Sequence, residues 1–363
     1  MNKDNINNAP QKEEKKKKKA LLIILIILAV LLVLAAAFTI SNLIGKNAAH
    51  DYDDMTINVD GIRDFDAIDE NGKTIEYKGE TYNFNEAVAG VVLLGIDAED
   101  SEEDDKNHGE GGYADAIYIA VVDTEKNKVS VLNVNRNSMV DVDTYDKDGT
   151  YVDTQNMQIC LAYEYLDGKK ESVENTIVSL ERLFNGLKFN TYFAMDQRDL
   201  VELNDYIGGV TLVPSVDFYS VNKQAYIPAG EEFTLLGQDA IMYIRSREWD
   251  QSAIEPESNR ISRQQQYMTE FLSQTWDSVK KDPTNIPDMY NIIVKNSTTN
   301  VDTNKFNYFA TDILTNLESY LDIDSYTLSG EFKKSESDYY DEYYVDQDKL
   351  MELMVKLFYT KAE

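Results

Sequence analysis

Val91-Val-Leu-Leu-Gly-Ile-Asp97 and Ala116-Ile-Tyr-Ile-Ala-Val-Val-Asp-Thr-Glu-Lys-Asn-Lys-Val-Ser-Val-Leu-Asn-Val-Asn135 carry the reading of the fold. Val91–Leu94 is a short continuous apolar run, as expected of a buried strand. It stops at Gly95-Ile96-Asp97, and a loop rich in Glu, Asp and Gly follows from Ala98 to Gly112. Ala116–Val122 and Val129–Asn135 read as two further strands. Their connector, Asp123–Lys128, is short and polar, which predicts an antiparallel hairpin. If Val122 faces Val129, every facing pair of residue numbers sums to 251, and Asp115 sits beside Arg136 at the open end. An acid and a base meeting at one sheet edge form either a site or a structural salt bridge; the register alone does not separate the two.

Downstream, Ser172–Phe184 carries Val173, Ile177, Leu180 and Leu183-Phe184 on one helical stripe. Asp199–Tyr206 reads as a helix closed by Gly208-Gly209, and Val210–Val213 as a strand stopped by Pro214. Residues 215–233 read as a loop region. A short helix, Leu236–Ile244, delivers Arg245 and Arg247. The next helix starts near Asn259, a good N-cap, and runs to about Val279. Arg260, Arg263 and Gln264 share one side of its first turns, and Glu257 lies just before it. Guanidinium forks suit phosphate and carboxylate oxygens. The alternative is a surface helix neutralised by Glu248, Glu255 and Glu257. Asn304–Leu321 and Asp348–Tyr359 read as amphipathic helices, the last docked on the core. Glu336–Asp346 reads as a solvated acidic loop.

At the other end, Ala20–Ile40 holds 21 residues without a charge, enough to cross a bilayer as a helix. Seven lysines against three acids precede it, a net charge of +4, which keeps the tail cytoplasmic and sends the rest outward. The run is longer than the apolar core of a cleaved signal peptide. Ser41 to about Ala87 reads as a polar connector, with a small hairpin over Lys73–Tyr82 bending at Lys78-Gly79. The chain carries 65 acidic and 35 basic side chains, a formal net charge of −30. Such a field argues against a nucleic-acid partner. One cysteine, Cys160, excludes an intrachain disulfide framework, and its place beside an apolar helix start reads as buried packing.

Seven segments in order resemble the LytR–CpsA–Psr family: Leu93–Asp97, Gly112–Asp115, Asn133–Ser138, Leu161–Tyr165, Asp205–Val210, Leu236–Arg247 and Asn259–Gln265. The resemblance spans about Val91 to Gln274. It implies a membrane-anchored bacterial phosphotransferase that moves a glycopolymer from a polyprenyl pyrophosphate carrier to peptidoglycan. It further implies a three-layer α/β/α domain around a mixed central sheet, with an apolar cleft for the polyprenyl tail. Carried over by position, Arg136, Arg245, Arg247, Arg260 and Arg263 bind or orient the pyrophosphate, and Gln264 supports the head group. Asp97 and Asp115 coordinate Mg2+, and Glu257 stands where the family places an acid, a candidate base. Arg136, Arg245 and Glu257 are thus the candidate catalytic residues. The chain departs from the family pattern at Glu99 and Tyr113, where arginines are common, at Asn137, often an acid, and at Cys160, often an asparagine.

The organisation expected is a basic tail (1–19), an anchor (20–40), a connector (41–86), a catalytic domain (87–280) and a helical C-terminal extension packed on the core (281–363). Two other functions fit the same residues: a non-catalytic polyprenyl-phosphate or glycan-binding protein of the envelope, and a hydrolase of the lipid pyrophosphate.

Overall fold

The computed structural model describes residues 41–97, 112–196, 200–245, 257–316, 324–334 and 341–362. The expected membrane-spanning segment, 20–40, lies outside the described residues, and among the described residues no helix is long and apolar enough to cross a membrane. Residues 41–49 are helical. A meander follows: β1 (Phe65–Ala67), β2 (Thr74–Tyr77) and β3 (Glu80–Phe84). Lys78 and Gly79 both have positive φ, 53° and 77°, the two-residue turn that matches strand twist, so the expected hairpin bends where its sequence bends.

The central sheet begins with β4 (Val88–Asp97), β5 (Tyr113–Asp123) and β6 (Lys128–Val134). The hairpin register is the one read from sequence: Val122 pairs with Val129 and Ile117 with Val134. A second, outlying hairpin comprises β7 (Met139–Tyr145) and β8 (Tyr151–Gln158). A 3-10 turn, Ile159–Tyr163, leads to α1 (Lys170–Leu183) and then to β9 (Thr191–Asp196), which inserts parallel to β4. Next come α2 (Leu200–Tyr206), β10 (Val210–Leu212), β11 (Phe218–Ser220), β12 (Ala225–Ile227), β13 (Phe233–Leu235), α3 (Gln238–Arg245) and α4 (Glu257–Lys281). Residues 215–233 are therefore not simply a loop: two small antiparallel ladders run through and beyond them, β10 with β13 and β11 with β12. Short strands broken by polar turns leave too little periodicity to read. Asn259 lies inside the first turn of α4 rather than before it.

The chain closes with α5 (Asn285–Asn296), β14 (Ser297–Thr299), α6 (Thr303–Asn316), β15 (Asp324–Thr327), β16 (Gly330–Lys334), β17 (Asp341–Val345), α7 (Gln347–Phe358) and β18 (Tyr359–Lys361). The acidic stretch read as a solvated loop contains β17. Its alternation turns Tyr343 inward, where the hydroxyl donates to the Leu328 carbonyl at 2.7 Å. The central sheet has the order β14-β9-β4-β5-β6-β15 and mixed pairing. It is parallel at β9–β4 and β6–β15 and antiparallel elsewhere.

Period-two alternation splits the sheet's side chains between two faces. Val92, Leu94, Ile96, Ile117, Ile119, Val121, Leu132 and Val134 point into the main core. There they meet Val173, Ile177 and Leu180 of α1 and Leu350, Met354 and Phe358 of α7. The segment read as a connector supplies Tyr52, Met55, Ile57, Val59, Phe65 and Ile75 to the same core, and its meander is completed by β18 against β3. On the other face Leu93, Ala116, Tyr118, Val129 and Val131 meet Met268 and Trp276 of α4. A separate core joins β10–β13 to α2–α5 around Phe218, Tyr243, Tyr267 and Phe271.

Candidate active site at the carboxyl edge of the sheet

Strands β9, β4, β6 and β15 run in one direction, so their carboxyl ends share one edge, the position where ligands bind in open α/β sheets. Asp97 ends β4 there and Asp196 ends β9, in register with Ile96. Arg136 lies two residues past β6. On antiparallel β5 the register slips: Gly95 pairs with Ala116 but Ile96 with Ala114, leaving Asp115 as the extra residue of a bulge. A bulge re-aims its side chain and ends regular pairing. Asp115 and Arg136 form an ion pair between Oδ1 and Nη1, with side chains only 13% and 20% exposed. The pairing follows from the register, as the sequence predicts.

The turn carrying Arg136 is tightly fastened. Asn135 accepts from the Asn137 N–H through its side chain at 2.9 Å, and its carbonyl accepts from the Ser138 N–H at 2.9 Å. The Arg136 carbonyl accepts from the Cys160 N–H at 3.1 Å, and the Ser138 carbonyl from the Ile159 N–H at 2.9 Å. Cys160 is buried, and desolvation pushes its thiol up, opposed by the neighbouring Arg136 charge. Its expected packing role holds, with one addition: the thiol and the backbone N–H both attend Arg136. Glu164 follows the same turn, and its partial burial raises its carboxyl above the ordinary range. Neither Glu164 nor Asp196 stands out in the sequence as a site residue. The only signal for Asp196 is an acid closing a short alternating run.

Arg263 does different work from Arg136. Arg263 is almost wholly buried; its Nε donates to the Tyr243 carbonyl at 2.9 Å, and the guanidinium lies 6.0 Å from that residue's ring centroid. Gln264 donates through Nε2 to the Ile244 carbonyl at 3.1 Å. These carbonyls belong to the last turn of α3, where helical partners run out. Arg263 and Gln264 thus cap the helix that ends at Arg245. Farther along α4, Gln274 exchanges bonds of 2.7 and 2.8 Å with the backbone of Thr211, riveting α4 to β10. The backbones of Asp97, Arg245, Glu257 and Arg260 are described but their side chains are not, and Arg247 lies outside the described residues.

Two groups therefore emerge, Asp115 with Arg136 and Arg263 with Gln264, linked through α4. Met268, one turn beyond Gln264, lines a shallow surface crevice with Tyr118, Val131, Asn133 and Ser325. Tyr118 and Asn133 lie three residues inward from Asp115 and Arg136. The same sheet face continues through half-buried Leu93, Gly95, Ala116, Ala120, Phe193 and Met195, an apolar surface ending at the Asp115–Arg136 edge.

Among the described residues no three His, Cys, Asp or Glu side chains converge as a metal cluster. Asp115, and Asp97 at the end of β4, are hard oxygen donors by residue type, the kind that Mg2+ takes singly or in pairs beside substrate phosphates while keeping several waters.

An arginine–carboxylate pair thus stands at the carboxyl edge of a mixed α/β sheet, bordered by an apolar face. The chain belongs to the LytR_cpsA_psr family, whose model matches residues 55–358. No curated relative matches at the sequence level. B. subtilis TagV shares the fold with TM-score 0.58 and 16% identity over 74% of this chain and 95% of its own. Protein gbs0355 from Streptococcus agalactiae aligns with TM-score 0.56 and 17% identity over 74% of this chain and 86% of its own. TagT bound to LIIa-WTA aligns with TM-score 0.52 and 17% identity over 75% of this chain and 89% of its own.

Proposed function

We propose that the protein is a membrane-anchored phosphotransferase that moves a glycopolymer from polyprenyl pyrophosphate to peptidoglycan. The observation that carries the reading is the Asp115–Arg136 pair at the end of the apolar sheet face. An apolar strip leading to a guanidinium suits a lipid chain with an anionic head. The lipid-linked ligand named for TagT, LIIa-WTA, points the same way. In this reading the helices on the two faces, α1 with α7 and α4, make a three-layer α/β/α domain, and residues 20–40 anchor it with the main domain outside the cell.

In the reaction an acceptor hydroxyl oxygen attacks the phosphorus that bears the glycopolymer. The bond from that phosphorus to the bridging oxygen breaks, and polyprenyl phosphate leaves. Glu257 takes the hydroxyl proton. Arg136, Arg245, Arg247 and Arg260 hold the pyrophosphate oxygens and stabilise the charge that develops on the leaving group. Arg263 and Gln264 act one step back, by fixing the end of α3 beside Arg245. Asp97 and Asp115 would hold Mg2+, which when bound supplies further charge neutralisation on the phosphates.

The test uses the full chain in detergent micelles, given a polyprenyl-pyrophosphate oligosaccharide and peptidoglycan fragments with and without Mg2+, with products followed by mass. Arg136→Ala should lower the joined product by roughly 10²–10³-fold, the usual loss for one charge-stabilising donor. Release of free oligosaccharide phosphate without joining would make the protein a hydrolase. Donor binding without turnover in folded protein would leave a lipid-binding role.

A further inference from the structure

The β7–β8 ribbon stands outside the central sheet. β7 and β8 pair only with each other along their length, and β7 touches β17 just at its base. Every residue from Tyr151 to Asn156 is exposed. Val140, Val142 and Thr144 turn inward, so Asp141, Asp143 and Tyr145 turn outward. Their cross-strand partners on the outward face are Asn156, Thr154 and Tyr151.

This outward face is built and braced. Asn156 donates to Asp141 at 3.0 Å, and Thr154 to Asp143 at 2.6 Å. Tyr145 and Tyr151 meet edge to face at 6.0 Å near the tip, where Tyr151 is 54% exposed. From behind, Arg182 of α1 donates to the Asp143 carboxylate at 2.8 Å and to the Asp141 carbonyl at 3.1 Å. Asn175 adds a bond to the Asp143 carbonyl at 3.0 Å. Side chains held this way lose little freedom when a ligand arrives. The base of the ribbon opens on the site: β7 begins three residues after Arg136, and β8 ends two residues before Cys160, which bonds the Arg136 carbonyl.

We propose that the outward face of the β7–β8 ribbon binds the acceptor saccharide chain and leads its hydroxyl end to Arg136. Side-chain amides accept from and donate to ring hydroxyls, carboxylates accept from them, and tyrosine rings cover the apolar faces of sugars. An eight-residue strand spans roughly 26 Å, room for several rings in a row. Charge selects the occupant. Residues 139–158 carry five aspartates against the one lysine, Lys147, and Arg182 neutralises Asp143 alone, so the ribbon is anionic. A pyrophosphate is repelled from it and drawn to the arginines, whereas an uncharged polyhydroxyl chain is not. The assignment rests on the transferase reading only in calling this saccharide the acceptor.

The probe is a peptide-free peptidoglycan tetrasaccharide titrated calorimetrically into the full chain in detergent micelles, beside a parallel titration with polyprenyl pyrophosphate. Tyr151→Ala and Asn156→Ala should each weaken saccharide binding by about tenfold and leave the pyrophosphate affinity unchanged. Both side chains are exposed, so the fold should survive, as a melting curve checks. Unaltered saccharide affinity in both variants, or no saccharide binding by wild type, overturns the proposal while leaving the donor site standing. Loss of self-association by Tyr151→Ala, with saccharide affinity intact, overturns it in favour of strand pairing between copies. Ribbon-dependent saccharide binding in a protein that transfers nothing supports the site and sinks the transferase.

Discussion

Two arginines show how little a residue type says about its role. Arg136 stays partly accessible in its ion pair with Asp115, ready to meet a ligand's charge. Arg263 is 1% exposed, and its Nε serves the end of α3. A buried guanidinium is tolerated only with partners. Its removal leaves the Tyr243 carbonyl short of a donor and opens a cavity. Arg263→Ala should therefore cost roughly 2–4 kcal/mol, read as a lower urea midpoint. Arg263→Lys should recover little of it, because an ammonium on a flexible stem does not reproduce the planar fork.

At the scale of elements, the helical segment 41–49 seats on α6. Ser41 donates to Asn304 at 2.7 Å, and Gly45 packs so closely on the Asn304 backbone that a Cβ would collide with its carbonyl. The seat ends in His50, whose Nε2 lies 2.9 Å from the Tyr308 hydroxyl. Burial pushes the His50 pKa below its ordinary value, against smaller opposing effects of the Glu86 and Val88 backbone and of Asp312. The unfolded chain therefore takes up this proton first. The contribution of His50 to stability is full above the unfolded value of about 6.5 and shrinks as pH falls through it. The fall in melting temperature between about pH 7.5 and 5.5 should be smaller in His50→Gln than in wild type. An equal fall in both would show that the ring titrates alike in the two states.

Across the whole molecule, both ends of the described chain close one core. β18 pairs with β3, while Leu350, Met351, Met354, Val355 and Phe358 of α7 pack beneath the central sheet. The α7 helix is firmly started, with Asp346 accepting from the Lys349 N–H. Phe358→Ala should cost about 3–5 kcal/mol, the usual range for a buried aromatic, measured by urea denaturation. The penalty should appear even though Phe358 is remote in sequence from Arg136, because both sit on the same folded unit. A chain whose stability is indifferent to this change would place α7 outside the core.

What the sequence determined by itself was local. The β5–β6 hairpin closes over four connecting residues, so alternation and loop length fix its register, and with it the meeting of Asp115 and Arg136. The Lys78-Gly79 turn and the stripes of α1 and α7 were legible for the same reason: each depends on neighbours within a turn or a pleat. The small strands β10–β13, the inward turn of Tyr343, and the share of residues 41–86 in the core were not. The β11–β12 hairpin is local, but its three-residue strands are too short to show alternation; the others depend on partners 15 or more residues away. The roles of Arg263 and Gln264 show the limit most clearly. Helical spacing put them on one face of α4, but only the packing of α3 against that face decided which oxygens they meet. An unpaired carbonyl at a helix end is a demand that no linear pattern displays, and the nearest donor in space answers it.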